Sequence, residues 1–484
     1  MNDILTFIIF VNTVLAIITV FRQERPVSTV WAWLLVLLLL PVVGFVVYFF
    51  VGRRISNHRI FQLDEREAMG MTDLIEEYVD DDGHQRTMEK YPGRQRQLMT
   101  LLYRSNFSIL TERNDYTLYT DGRDKMNALL DDLRQAKHHI NIQYYIFTPD
   151  EVGNAILEVL TERAQAGVHV RLLYDAVGSR RLSRRQLKPL CQAGGEAISF
   201  FGYSHWVQNL RANFRNHRKT VIIDGKVGYV GGFNVAKEYI GKGPLGYWRD
   251  THMRVTGEAV QAIQSRFIVD WCASAHIHYE AFLKQFPNDT THDYFPRVKI
   301  NHNTPMQIVS SGPEDDTDQI KMGYLKMITM ARHSLTLQTP YFIPDESAFE
   351  ALQQAAMSGV DVKIMVPSKP DHPFVYRATE YYCQQALKFR IKVYRYDKGF
   401  LHAKVLTVDD EVTSLGTANF DVRSFRLNFE VNAFVYDSEF THEIRRAFDA
   451  DLQNCTVMDE AYFAAQSRFL HFRQLMSRLL GPLL

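Results

Sequence analysis

The sequence predicts an α/β protein built as two related lobes, a pseudo-twofold repeat of mixed sheets flanked by helices, following two N-terminal transmembrane helices. Three observations carry this. The chain starts with two long uncharged apolar runs, a strand–helix–strand pattern occurs twice, and so does a histidine–lysine–aspartate motif.

The apolar runs come first. Ile4 to Phe21 is eighteen residues without a charge, and Val30 to Val51 is another twenty-two. As helices they reach roughly 27 and 33 Å, enough for a ~30 Å hydrocarbon core. Met1-Asn2-Asp3 is not basic and the first run exceeds the apolar region of a cleaved signal, so residues 1–55 read as two membrane helices of a multi-pass protein. Arg53, Arg54, Arg59 and Arg66 follow the second run, against Arg22 and Arg25 between the runs, a bias that places the bulk of the chain in the cytoplasm. Residues 56–104 are polar and read as a linker with helical pieces.

A chain of 484 residues, 46% hydrophobic, has room beyond this for two globular domains. Lys and Arg number 55 and so do Asp and Glu, which argues against a protein that holds nucleic acid by bulk positive charge. Cys191, Cys272, Cys383 and Cys455 form no CxxC pair, so neither a zinc site nor a disulfide framework is indicated.

The repeat is legible in "INIQYYIFTPD" (Ile140 to Asp150) and "LTLQTPYFIPD" (Leu335 to Asp345). A helical pattern follows each, ending at Gly167 or Gly359, and then an apolar strand, "VHVRLLYD" or "VDVKIMVP". Pro149 and Pro344 stop the first strands, Asp150 and Asp345 can cap the helices, and the glycines tolerate the positive φ of a helix end. Such βαβ units imply parallel pairing within each lobe. The lobes should run over 105–290 and 300–465, joined through Phe286 to Arg297, with an amphipathic C-terminal helix in 466–484.

The motif stands in "NHRKTVIID" (Asn216 to Asp224) and "LHAKVLTVD" (Leu401 to Asp409). If it opens a strand, alternation puts His217 with Lys219, and His402 with Lys404, on one face, where both can address one phosphate. Asp224 and Asp409 have the opposite parity and begin hairpin turns, so they are motif members expected to secure the turn more than to touch substrate. Gly231-Gly232-Phe233-Asn234 and Gly416-Thr417-Ala418-Asn419 follow at equal spacing. There the glycines would let a ligand approach the backbone, whose N–H groups could hold an oxyanion, and Asn234 and Asn419 offer neutral phosphate-binding donors.

These residues, with "YWRDTH", "QTPYFIPD" and "NFEVNAF", resemble bacterial cardiolipin synthases of the phospholipase D superfamily, over essentially the whole chain. One departure is Phe389-Arg390, where that family more often has a helix-ending glycine. The resemblance implies two phospholipase D-like lobes sharing one active site, no metal and no cofactor. It also implies membrane phospholipid substrates, reversible phosphatidyl transfer from one phosphatidylglycerol to another, and a phosphatidyl-histidine intermediate. On this reading His217 is the nucleophile, His402 the general acid and base, Lys219 and Lys404 neutralise the phosphate oxygens, and Asp250 and Glu430 orient the histidines. Asp224 and Asp409 complete the catalytic motif.

Three rivals share these features. A membrane phospholipase D would hand the phosphatidyl group to water or another alcohol, a phospholipase D-like nuclease would cut nucleic acid, and a membrane-anchored phospholipid-binding protein would do no chemistry. The membrane runs argue against the nuclease, and two intact motifs against the binding protein. "SRRLSRR" (Ser179 to Arg185) reads as a solvated helix face or a path for anionic headgroups. Ser467 to Leu484, where Arg468, Arg473 and Arg478 alternate with apolar residues, reads as an interfacial helix or one docked on the body.

Overall fold

The computed structural model describes residues 14, 27–40, 44, 48, 88–200, 214–278, 281–282, 291–315 and 317–480. Nearly all of the first apolar run and all of residues 56–87 lie outside them, as do residues 286–290 of the expected connection and the last four residues. The second run is helical over Val27–Leu39, 13 residues that rise roughly 20 Å, short of a hydrocarbon core. Among the described residues no helix is long and apolar enough to cross a membrane.

Two sheets that share the order of their first seven strands form the body of the chain. The first runs Asn114–Tyr119, His252–Gly257, Val227–Gly231, Thr220–Ile223, His139–Tyr144, His169–Asp175 and Glu196–Phe200. The second runs Met306–Ser311, Asn428–Val435, Val412–Gly416, Val405–Val408, Ser334–Gln338, Asp361–Pro367, Lys392–Tyr396 and Cys455–Val457. In each, the strand–helix–strand unit pairs in parallel while the motif strand joins antiparallel, so both sheets are mixed. Asp150 and Asp345 cap the intervening helices Glu151–Gln165 and Glu346–Met357 with their side chains. Gly167 and Gly359 end those helices at φ of 88° and 98°. At the departure near residue 390, Arg390 itself takes the left-handed conformation, φ 64°, that a glycine would adopt without steric cost.

The lobes are not independent bodies. One hydrophobic cluster crosses between them, from Phe267 and Trp271 of the helix Ala259–Ala275 to Met306, Val431 and Ala433 of the second sheet. Beside it, Arg218 donates to Asp270 at 2.7 and 2.8 Å and to the carbonyls of Glu430 and Ser311, both in the second lobe. Asp270 also accepts from Gln143 of the first repeat strand at 2.7 Å. The second lobe has a counterpart, with Asp451 accepting from Gln338 at 2.9 Å and from Arg249 of the first lobe at 2.8 Å. The Arg249–Asp451 pair spans the seam, so parting the lobes would leave its buried charges uncompensated and would also strip Arg218 of the two carbonyls it meets in the second lobe.

The stretch read as linker also contributes. The helix Gly93–Asn106 buries Leu98, Met99 and Leu102 in the core of the second lobe, and its Arg94 pairs with Asp409 at 2.7 Å and Glu411 at 2.5 Å. Structure therefore starts earlier than the expected lobe boundary, because three apolar residues on one helical face suffice to dock a short polar helix.

Candidate active site

The two motifs meet at a cavity of about 240 Å³ on the lobe interface, lined by His217, Lys219, His402, Lys404, Asn234 and Asn419. Six of the residues singled out in the sequence thus come together from positions nearly two hundred residues apart. The histidines and lysines do not sit in the ladder as expected. The motif strands begin only at Thr220 and Val405, because the histidine backbones are bonded to the opposite lobe.

That bonding is reciprocal. Arg215–Asn216 pairs in parallel with the strand Asn428–Val435, and His217 N–H donates to the Phe429 carbonyl at 2.9 Å. Gly399–Leu401 pairs in parallel with Tyr247–Arg249, and His402 N–H donates to the Arg249 carbonyl at 2.7 Å. In each case the next residue on the opposite strand supplies a fully buried carboxylate. Glu430 Oε1 lies 3.2 Å from His217 Nδ1, and Asp250 Oδ2 lies 2.6 Å from His402 Nδ1. Each lobe thus orients the other lobe's histidine, leaving Nε2 as the nitrogen available for chemistry. Asn428 Nδ2 also lies 3.1 Å from His217 Nδ1, and Trp248, at the corresponding place, lies beside the His402 ring.

Electrostatics follow from burial. Burial pushes the His402 pKa down to about 4, with Lys404 acting in the same direction and Asp250 opposing. Burial lowers His217 as well, opposed by Glu430. At neutral pH both imidazoles are therefore uncharged. Burial also brings Lys219 to about 8 and Lys404 to about 7, against the attraction of Glu430 and Asp250. Each lysine Nζ donates to the carbonyl of its own histidine, Lys219 at 2.5 Å, so both ammonium groups stand next to the imidazoles. Burial disfavours the Glu430 carboxylate, but His217 and Lys219 outweigh it and hold its pKa below the usual value.

The motif aspartates sit elsewhere. Asp224 accepts from the N–H groups of Lys137, His138 and His139, and Asp409 from those of Arg332, His333 and Ser334, at 2.7 to 3.2 Å. Both have φ of 53° and begin the hairpin turns. Each carboxylate thus clamps the turn onto the start of the neighbouring repeat strand, at the end of the motif strand remote from the cavity. Asp409→Ala should lower Tm, at a cost of about 1–3 kcal/mol for the orphaned amides, while kcat of the folded fraction changes little. A large kcat loss at unchanged Tm would contradict this placement. Burial disfavours the Asp409 carboxylate, but the three amides and Arg94 outweigh it and hold its pKa down, so its stabilisation is present above the ordinary carboxylate pKa and is lost as pH falls through the lowered one.

The glycines after each motif have a different task from the one expected. A Cβ on Gly232 would lie 1.9 Å from Asp250 Oδ1, and one on Gly416 2.3 Å from Asn432 Oδ1. Their N–H groups are also taken, Gly232 by the Thr251 carbonyl at 2.9 Å and Gly416 by that of Lys404 at 3.3 Å. Gly232 is therefore small to admit the carboxylate behind His402 and is not an oxyanion donor. Gly232→Ala should displace Asp250 and cut turnover by ~10²-fold or more with the fold retained by circular dichroism; wild-type turnover would refute the role. The Asn234 amide is engaged, accepting from Ile146 N–H at 3.1 Å and donating to the Tyr239 hydroxyl at 2.5 Å, whereas the buried Asn419 Oδ1 has no partner among the described residues.

Other wall residues escaped the sequence reading. The Tyr145 ring lies tilted at 46° against that of His217, 4.1 Å between centroids, with Lys219 Nζ 5.6 Å from the centre of its ring. Tyr341 donates to Asp371, and Asp421 and the largely buried Arg423 also line the cavity. Burial raises the Asp421 pKa to about 6. Tyr145 and Tyr341 follow Gln143 and Gln338 in the repeated stretch, so the repeat itself held the signal. The "SRRLSRR" arginines are exposed and outside the cavity wall, with Ser183 starting a helix through a capping box. Among the described residues no group of His, Cys, Asp or Glu is placed to hold a metal ion.

Comparison with known proteins agrees with this geometry. The family model described as cardiolipin synthase, PLD-like domain, matches residues 129–271 and 324–452, and one described as phospholipase D-nuclease N-terminal matches 13–53. The chain is 45% identical over 486 residues to the major cardiolipin synthase of Bacillus subtilis, covering 99% of each chain. It is 43% identical over 491 residues to a cardiolipin synthase of Staphylococcus aureus, covering 100% of this chain and 97% of that one. The fold is similar to the crystal structure of phosphatidylserine synthase from Haemophilus influenzae, with TM-score 0.61, 15% identity, and coverage of 80% of this chain and 100% of that one.

Proposed function

The chain belongs to the cardiolipin synthase family of phospholipase D-like proteins, and from that premise we propose that it joins two phosphatidylglycerol molecules into cardiolipin and glycerol through a phosphatidyl-histidine intermediate. The observation that carries this is the exchange at the interface: two neutral imidazoles face one cavity, each backed by a carboxylate of the opposite lobe. A single lobe could supply a nucleophile or an acid, but not both.

In the first step His217 Nε2 attacks the phosphodiester phosphorus, the bond to the headgroup glycerol breaks, and His402 gives that oxygen a proton. Burial keeps both histidines neutral at pH 7, so the proton on His402 is taken up as the anionic substrate enters and offsets the two lysines. In the second step His402 accepts the proton of a hydroxyl on another phosphatidylglycerol. That oxygen attacks phosphorus and the P–N bond breaks, which restores His217 and makes the reaction reversible. Lys219 and Lys404 stabilise the nonbridging oxygens throughout, beside Asn234 and Asn419.

The lysines set a pH dependence. Their charge is present below about 7 for Lys404 and about 8 for Lys219 and is lost above. kcat/KM should therefore decline with rising pH already below neutrality, where the free enzyme must take up the His402 proton, and more steeply above it as the lysines lose their charge, while kcat holds to higher pH because the bound phosphodiester raises both lysines. A kcat/KM that stays level through that range would count against the lysines as phosphate ligands.

Two passes through a bacterial cell membrane by the N-terminal apolar runs, with the catalytic lobes on the cytoplasmic side, belong to the same reading. They are supported by the length of the runs and the arginines after the second. Purified protein in vesicles of phosphatidylglycerol, without CTP, should yield cardiolipin and glycerol by lipid mass spectrometry. Phosphatidic acid as the sole product would turn the reading to a hydrolase.

A further inference from the structure

The helix Arg468–Leu480 is docked with its polar seam inward and its apolar residues outward. Gln474 and Ser477 are 1% and 2% exposed, and Gln474 Nε2 donates to Glu380 Oε2 at 3.2 Å and to Gln466 Oε1 at 2.8 Å. Arg478 donates to the Tyr381 hydroxyl at 2.9 Å. Phe469, Phe472 and Leu479 are 69%, 57% and 67% exposed, and Leu475 and Met476 about half. These positions recur every three or four residues and so form one stripe along the helix. A helix packed on a protein and facing water has the reverse arrangement.

What covers the stripe is indicated by its setting. Arg468 and Arg473 are exposed on the same helix, the interleaving of cations and apolar residues found in helices that lie at a lipid surface. The helix rests on Pro373–Leu387, whose first turn lends Val375 to the cavity wall. Glu380, the contact of Gln474, is only roughly 7.5 Å of helix rise beyond Val375. Phe374, next to Val375, is also exposed. An isologous pair of such helices would set like charges against each other.

We propose that Arg468–Leu480 is a docking element that seats on an anionic bilayer leaflet, with its apolar stripe at the boundary of headgroups and acyl chains and its arginines among lipid phosphates. The cavity mouth is thereby held at the level of the substrate phosphate, so a two-tailed lipid reacts without leaving the bilayer. The benefit to turnover rests on the lipid-transferase reading; the docking itself does not.

The full-length protein carrying Phe472→Cys or Leu479→Cys, with Cys191 and Cys455 replaced by serine, would be labelled with a polarity-sensitive fluorophore. It would then be reconstituted in phosphatidylcholine vesicles with and without phosphatidylglycerol. Brominated acyl chains quench only on contact, so both probes should be quenched, more strongly with the anionic lipid, and more than a probe at the exposed Glu158→Cys on the first lobe. Absence of quenching at both stripe positions, whether the probe faces water or another protein surface, overturns the proposal. The doubly substituted Phe472→Asp/Leu479→Asp protein should lose about tenfold in rate on vesicle-borne phosphatidylglycerol but none on a short-chain, monomeric one. Equal rates relative to wild type on both substrates also overturn it. Quenching needs no turnover, and cardiolipin formation by the wild type in the same vesicles reports separately on the proposed activity.

Discussion

Replacing either cavity histidine should reduce cardiolipin formation by ~10³-fold or more, and His217→Ala with His402→Ala together should be little worse than either alone. The non-additivity follows from the interface: the covalent carrier and the proton donor act in one event, so losing one makes the other idle. A phosphatidyl ester of p-nitrophenol separates their roles, because nitrophenolate departs without a proton. His402→Ala should release one equivalent of nitrophenol in a burst and then stall as the phosphatidyl-enzyme, whereas His217→Ala should show no burst. The reverse pattern would exchange the two roles, and steady turnover by both variants would remove the histidine intermediate altogether.

The exchanged carboxylates give the second large effect. Asp250→Asn preserves shape but cannot hold the His402 tautomer with Nδ1 protonated, and a loss of about 10²–10⁴-fold in kcat is expected, as in other histidine–carboxylate pairs. Glu430→Gln should act in the same way through His217. Rate alone would not separate positioning from general damage, so the decisive measurement is the nitrogen spectrum of the imidazoles. Asp250→Asn, in the first lobe, should change the tautomer signal of His402, in the second, and leave that of His217 in place. A change confined to His217 would mean that carboxylates serve the histidine of their own lobe.

Much of this was legible from local chemistry. Asp150, Asp345, Gly167 and Gly359 mark helix ends because a cap oxygen and a positive φ are requirements of a few neighbouring residues. Asp224 was separable from His217 and Lys219 by parity and by the glycine after it. Gly232 was misread for the opposite reason. Its smallness answers to Asp250, eighteen positions away in sequence but 1.9 Å from where its Cβ would be, and no local pattern reports such a neighbour. The helix Gly93–Asn106 looked like linker because three buried apolar residues are too few to stand out of a polar stretch.

Taken alone, the sequence determined that there are two repeats, that each carries a histidine and lysine poised for phosphate, and that the chain begins with apolar runs. Those features depend on spacing along one chain, where periodicity and short-range sterics dictate the answer. Only the tertiary structure decided that Glu430 serves His217 and Asp250 serves His402. Parallel pairing of Arg215–Asn216 with Asn428–Val435, and of Gly399–Leu401 with Tyr247–Arg249, fixes which carboxylate arrives beside which ring. Such pairing is a contest among distant segments for buried hydrogen bonds, won by the packing of two whole lobes rather than by any stretch of residues within them.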